Sequence, residues 1–98
     1  MTVKSGYDLH KLKYDEIIYV ESDSEYVNFF TEDKKIMSHQ SLKSLEKSLP
    51  PSIFMRVHRS YIVNKQKVTA LKGRDLLISK VKIPVSDSYF EAVKSKLF

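Results

Sequence analysis

The chain has 98 residues, 42% of them hydrophobic and 11% aromatic, with two Gly, three Pro and no Cys. That suffices for one small domain with its own core, and the scarcity of Gly and Pro argues against a linker or disordered segment. The net charge is +5, disulfides and thiolate chemistry are excluded, and no apolar run approaches the roughly 18 residues of a membrane span.

Strand signals open the chain. "TVKS" and "DLHKL" flank a Ser5-Gly6 turn and predict a short hairpin. "IIYVES" and "EYVNFFT" are rich in β-branched and aromatic residues, and Glu32-Asp33 turns the chain into "KKIMS". "SLKSLEKSLPP" then predicts a helix, with Leu42, Leu45 and Leu49 on one side and Pro50-Pro51 as its stop.

The stretch "RVHRSYIVN", Arg56 to Asn64, follows and reads as a strand. "KVTAL" and "LLISK" flank a turn at Lys72-Gly73-Arg74-Asp75. In "VKIPV", Val81, Ile83 and Val85 alternate with Lys80, Lys82 and Pro84, and Pro84 predicts an edge strand or a strand end. "SDSYFEAVKSKLF" closes as a helix with Ser88 and Glu91 spaced as a capping box and a stripe of Phe90, Val93 and Leu97. The residues predict a mostly-β domain over 1–98 with eight or nine short strands, one internal helix and one C-terminal helix.

Arg59 breaks this pattern. On one straight strand Met55, Val57, Tyr61 and Val63 share the buried face, and Arg59 falls among them. Either Arg59 is buried with a dedicated carboxylate, or the strand breaks at His58-Arg59-Ser60 and the three side chains project from a loop. Three consecutive polar residues favour the break.

Catalytic and metal chemistry find little support. His10, His39 and His58 have no metal-ligand spacing. The acids Asp15-Glu16 and Glu21, Asp23, Glu25 have the character of solvated turns, and two Gly cannot make a phosphate loop. The expectation is a protein that is not an enzyme and needs no cofactor or metal.

The charge distribution points elsewhere. Residues 1–50 balance seven Lys against nine acids, whereas eight basic residues between Arg56 and Lys82 face only Asp75. Such asymmetry suits a polyanion, nucleic acid before membrane, unless it is merely a solvated basic face. No long basic helix, zinc finger or RNP motif is present, and the helices are too far apart for a helix-turn-helix. Base reading would therefore fall to loops, where an exposed Arg59 beside His58 and Ser60 suits a guanine edge and neighbouring phosphates. Two rival classes stand beside this one: a protein-interaction module with a basic strip, and a ligand-sensing β domain. With no membrane segment and no signal peptide, a cytoplasmic location is expected.

"FMRVHRSYIVN" resembles the signature of LytTR DNA-binding domains, output domains of bacterial response regulators. "DEIIYVESDSEYVNFFT" resembles their opening strands, "MSHQSLKSLEKSLPPSIF" the internal helix and its exit, and "IPVSDSYFEAVKSKL" the closing strand and helix. The resemblance implies an elongated fold of about ten strands with little helix, and sequence-specific binding of double-stranded DNA by loops in the major groove. It also implies two protomers on paired direct repeats and an N-terminal receiver domain in a longer regulator, since no receiver motif occurs in these residues.

Three loops carry over as DNA contacts by resemblance. The central one is His58, Arg59 and Ser60, with Arg59 as base reader. The loop between the early strands is Asp23, Ser24 and Glu25, and the turn before the C-terminal helix is Ser86, Asp87 and Ser88. Many relatives have a basic residue in that last turn, whereas here it is Ser-Asp-Ser, and the first loop is acidic. Acidic groups approach phosphate at a cost, though they can accept from cytosine N4. Either those two loops read bases with short polar or acidic groups, or affinity rests on the central loop and nearby Lys. Ser88 has an alternative role as helix N-cap, and Glu25 as a cross-strand partner of Lys.

Overall fold

Short alternating segments and tight turns build ten strands and two helices in the computed structural model, which describes all residues from Met1 to Phe98. β1 (Thr2–Ser5) and β2 (Asp8–Lys11) form a separate hairpin. β3 (Tyr19–Asp23), β4 (Tyr26–Phe30), β5 (Lys35–Ser38), β6 (Phe54–His58) and β7 (Tyr61–Asn64) form a five-stranded antiparallel sheet in the order β5-β4-β3-β7-β6. β8 (Val68–Lys72), β9 (Asp75–Ile78) and β10 (Val81–Pro84) form a three-stranded meander, in which β10 is an edge strand as Pro84 requires. The molecule is elongated, 40 × 23 × 21 Å.

The central sheet separates two cores. Val20, Val27, Phe29, Ile36, Phe54 and Ile62 point to one side, where α1 (Leu42–Ser48) covers them with Leu42, Leu45 and Leu49. Tyr19, Val57 and Val63 point to the other, against Leu76, Ile78 and Ile83 of the meander and Val93 of α2 (Asp87–Leu97). α1 begins as its sequence demands: the Ser41 hydroxyl accepts from the Ser44 N–H at 3.0 Å.

Two expectations need correction. The N-cap position of α2 falls on Ser86, whose backbone is extended at φ −77°, ψ 158° and whose side chain makes no capping hydrogen bond, so Ser88 lies inside the first helical turn and is not the N-cap. The Ser86 and Ser88 hydroxyls lie 3.4 Å apart instead. β9 ends at Ile78, not Lys80, because Ser79 turns the chain with φ +54° and Ile78 pairs with Val81. Ser79-Lys80 thus makes the kind of turn that Gly73 makes between β8 and β9 with φ +62°, but without a glycine to announce it.

The Asn that closes "SYIVN" is structural. Asn64 is fully buried, its side-chain amide donates to the Ile17 and Tyr14 carbonyls at 2.9 and 3.3 Å, and its oxygen accepts from the Gln66 N–H at 3.0 Å. It fastens the end of β7 to the 3-10 turn at Tyr14–Glu16. Asn64→Ala takes the donor from the buried Ile17 carbonyl and should lower stability by about 1–3 kcal/mol in urea denaturation.

Candidate nucleic-acid interface

The strand containing "RVHRS" is interrupted between Arg56 and His58. Arg56 pairs with Ile62 and His58 with Tyr61, which leaves Val57 as an extra residue in β6. A bulge of this kind keeps two successive side chains on one face, so Val57 is buried while His58 leans edge-on to Tyr61 with ring centroids 5.5 Å apart. Arg59 and Ser60 become the turn. Arg59 is exposed, and its side chain makes no hydrogen bond or ion pair, so the buried-pair account of this residue is overturned.

The turn is held by main-chain atoms on both flanks. The Ser60 carbonyl accepts from the Ser22 N–H at 2.9 Å, immediately before Asp23-Ser24-Glu25. The Val57 carbonyl accepts from the Ser86 N–H at 3.1 Å, at the head of Ser86-Asp87-Ser88. The three candidate loops therefore converge, with the central one tied to each neighbour. Within it, the Ser60 N–H donates to His58 Nδ1 at 3.1 Å. That bond ties the His58 ring to the backbone of the turn.

The first loop is a two-residue turn, Ser24-Glu25, with Asp23 paired to Tyr26. Ser24 sits in the left-handed region at φ +58°, a conformation that costs about 1 kcal/mol for a residue with a Cβ. Asp23, Ser24 and Glu25 are exposed, and Glu25 pairs with no Lys. At the third loop, Asp87 meets Arg74, whose Nη1 lies 3.1 Å from Oδ1 and whose guanidinium stacks 4.3 Å above the Phe90 ring. The Val85 N–H donates to the Arg74 carbonyl at 2.9 Å, so the β8–β9 turn is fastened beside this loop. The basic residue missing from Ser-Asp-Ser in sequence is supplied in space by Arg74.

Arg56 and Arg74 stand out in the sequence as charges, but their partners are set only by the fold. Arg56 Nε donates to the His58 carbonyl at 2.9 Å and Nη2 to the Arg59 carbonyl at 2.6 Å. Its Nη1 pairs with Glu46 Oε1 of α1 at 2.8 Å. On the opposite sheet face, the Tyr61 hydroxyl donates to Glu21 Oε2 at 3.1 Å. Nowhere do three or more His, Asp or Glu come together as a metal-holding group.

The scaffold is elongated, gathers three turns and carries an exposed arginine on the middle one. The LytTr DNA-binding domain family matches residues 7–98. The chain belongs to that family, and its partner is DNA. Its fold is similar to that of the LytTr DNA-binding domain of a methyl-accepting/DNA response regulator from Bacillus cereus. That match has a TM-score of 0.79 and 26% identity, and covers 99% of this chain and 94% of that one. The sensory transduction protein LytT of Bacillus subtilis is 36% identical over 84% of this chain and 36% of its own length. The heme-containing CO-sensing transcriptional regulator RcoM 1 of Paraburkholderia xenovorans is 34% identical over 84% of this chain and 33% of its own length. The chain thus spans about a third of the length of these curated relatives.

The Tyr61–Glu21 contact gives the site's scaffold an alkaline limit. Burial first, and then the Glu21 hydrogen bond and charge, push the Tyr61 hydroxyl above its ordinary 10.0. Tyr19 is raised from the same value by burial and by the Glu21 charge. Groups raised in the fold contribute stability that is present below pH 10 and is lost as pH climbs through the folded value. Urea midpoints should therefore fall above about pH 10, and Tyr61→Phe should shallow that fall.

Proposed function

We propose that this chain is the output domain of a two-component transcriptional regulator and reads duplex DNA in the major groove through its central loop. Arg59 is the base reader, while His58 and Ser60 lie near phosphate. The carrying observation is the exposed, uncommitted Arg59 side chain on a turn whose backbone is held from both sides. A free guanidinium on a fixed base can present two parallel donors to guanine O6 and N7.

The flanking loops have supporting roles. Asp23, Ser24 and Glu25 offer acceptors suited to cytosine N4, and Ser86 and Ser88 offer hydroxyls. Asp87 would repel phosphate if it stood alone, but its partner Arg74 offsets that charge. An exposed pair of this kind is worth only about 0–1 kcal/mol, so Arg74 can turn to phosphate at little cost. The name of the Bacillus cereus protein, a response regulator, and those of LytT and RcoM 1 support a place within a longer signalling protein, for which an N-terminal receiver domain is our reading. Two protomers on paired direct repeats, a cytoplasmic location and the lack of enzymatic activity complete the reading.

Selection of preferred duplexes from a random-sequence pool with this chain would supply the target. Against it, Arg59→Ala should cost about 1–3 kcal/mol and relax preference at one base pair. Equal weakening on every duplex would make Arg59 a phosphate contact instead. Arg74→Ala should weaken all duplexes alike and reduce the slope of log affinity against log salt by about one.

A further inference from the structure

We propose that Arg56 is a positioning residue for the recognition turn and acts through its main chain, with Glu46 of α1 as its anchor. The inference rests on the reading of the central loop as a DNA contact. By charge and place, Arg56 should be a phosphate ligand: it is basic, three residues from Arg59, and inside the basic stretch. Its geometry gives it other work.

Arg56 lies on the sheet face that α1 covers, as its pairing with Ile62 requires. Only 14% of its side chain is exposed. Three of its five N–H donors are engaged: Nε with the His58 carbonyl, Nη2 with the Arg59 carbonyl and Nη1 with Glu46 Oε1, at 2.9, 2.6 and 2.8 Å. The two carbonyls belong to consecutive residues of the turn. Turned toward one planar guanidinium, they fix both peptide planes that flank Arg59, and so fix the direction from which the Arg59 side chain departs.

The bulge makes this brace necessary. Two-residue hairpins favour turns with a positive φ, because those match the strand twist. Gly6, Ser24, Gly73 and Ser79 supply such a residue in the other tight turns of this chain, but neither Arg59 nor Ser60 has a positive φ. Val57 supplies the extra twist as a bulge, and the Arg56 guanidinium reaches the two carbonyls just beyond it. The guanidinium satisfies them. Glu46, half-exposed on α1, holds the guanidinium in plane, so the helix on the far side of the sheet helps set the aim of the recognition residue.

Lysine keeps the charge of Arg56 but not the fork that spans two carbonyls and a carboxylate. For Arg56→Lys, affinity for the selected duplex should fall about tenfold, the scale of one or two charge-assisted hydrogen bonds. Affinity for a scrambled duplex and the salt slope should stay as in the native chain. Glu46→Ala should lose the same preference by about threefold, and Glu46→Gln, which keeps an acceptor, should restore most of it. Thermal melting of each variant separates these effects from loss of fold. Should Arg56→Lys not fold, the two Glu46 variants carry the test, since residue 46 lies on an exposed helix face.

A salt slope reduced by about one in Arg56→Lys, with both duplexes weakened alike, would make Arg56 a phosphate contact and overturn the proposal. Full preference retained in Glu46→Ala would overturn it too. Failure of the underlying reading looks different: Arg59→Ala would then leave duplex preference unchanged, whatever the Arg56 and Glu46 variants do.

Discussion

One additional residue in one strand, Val57, governs the geometry of the recognition face. Were β6 straight, Arg59 would fall on the face of Val57, toward the core shared with the meander. With the bulge, Val57 and His58 lie on the same side of the sheet, and the chain reaches Arg59 at the turn. A bulge is favourable here because Val57 is itself fully buried, so the inserted residue adds apolar burial while it displaces the next polar ones. Its carbonyl, freed from the ladder, is the acceptor that docks the start of α2. The insertion that frees the arginine therefore also recruits the third loop.

The two ion pairs near this face differ in kind. Arg74 and Asp87 meet largely in solvent, where their attraction is screened and weak. Arg56 is mostly withdrawn from water and committed to three acceptors. Its removal would take a donor from the partly buried His58 carbonyl, and a buried bond left unmade costs more than a made one gains. The basic stretch from Arg56 to Lys82 is thus not a uniform electrostatic strip. Part of its charge is spent inside the protein.

Much of the architecture was legible in the residues. The Leu spacing of α1, the stripe of α2, the Lys72–Asp75 turn and the conflict at Arg59 each obey a local rule, and the break at His58-Arg59-Ser60 follows from periodicity and polarity. The count of ten strands came from family resemblance, because the Ser79-Lys80 turn uses a left-handed serine that no composition rule marks. The cap of α2 was misplaced by two residues because Ser86 and Ser88 are chemically alike, and only the backbone of Ser86 distinguishes them. The partners of Arg56 and Arg74 were not legible. Glu46 precedes Arg56 by ten positions on another element, and Asp87 follows Arg74 across two strands, separations at which sequence carries no pairing rule.

The main-chain fastening of the central turn has an evolutionary consequence. The bonds that shape it run through the carbonyls of Val57, His58, Arg59 and Ser60, the amide of Ser60, and side chains at 56 and 58. The side chains of Arg59 and Ser60 take no part. Position 59 can therefore be exchanged without dismantling the frame that presents it, much as a blade is changed in a fixed handle. On the proposed reading of Arg59 as base reader, a lineage built on this frame can drift from one operator to another by single substitutions at the tip, and a library randomised there samples new recognition, not new folds.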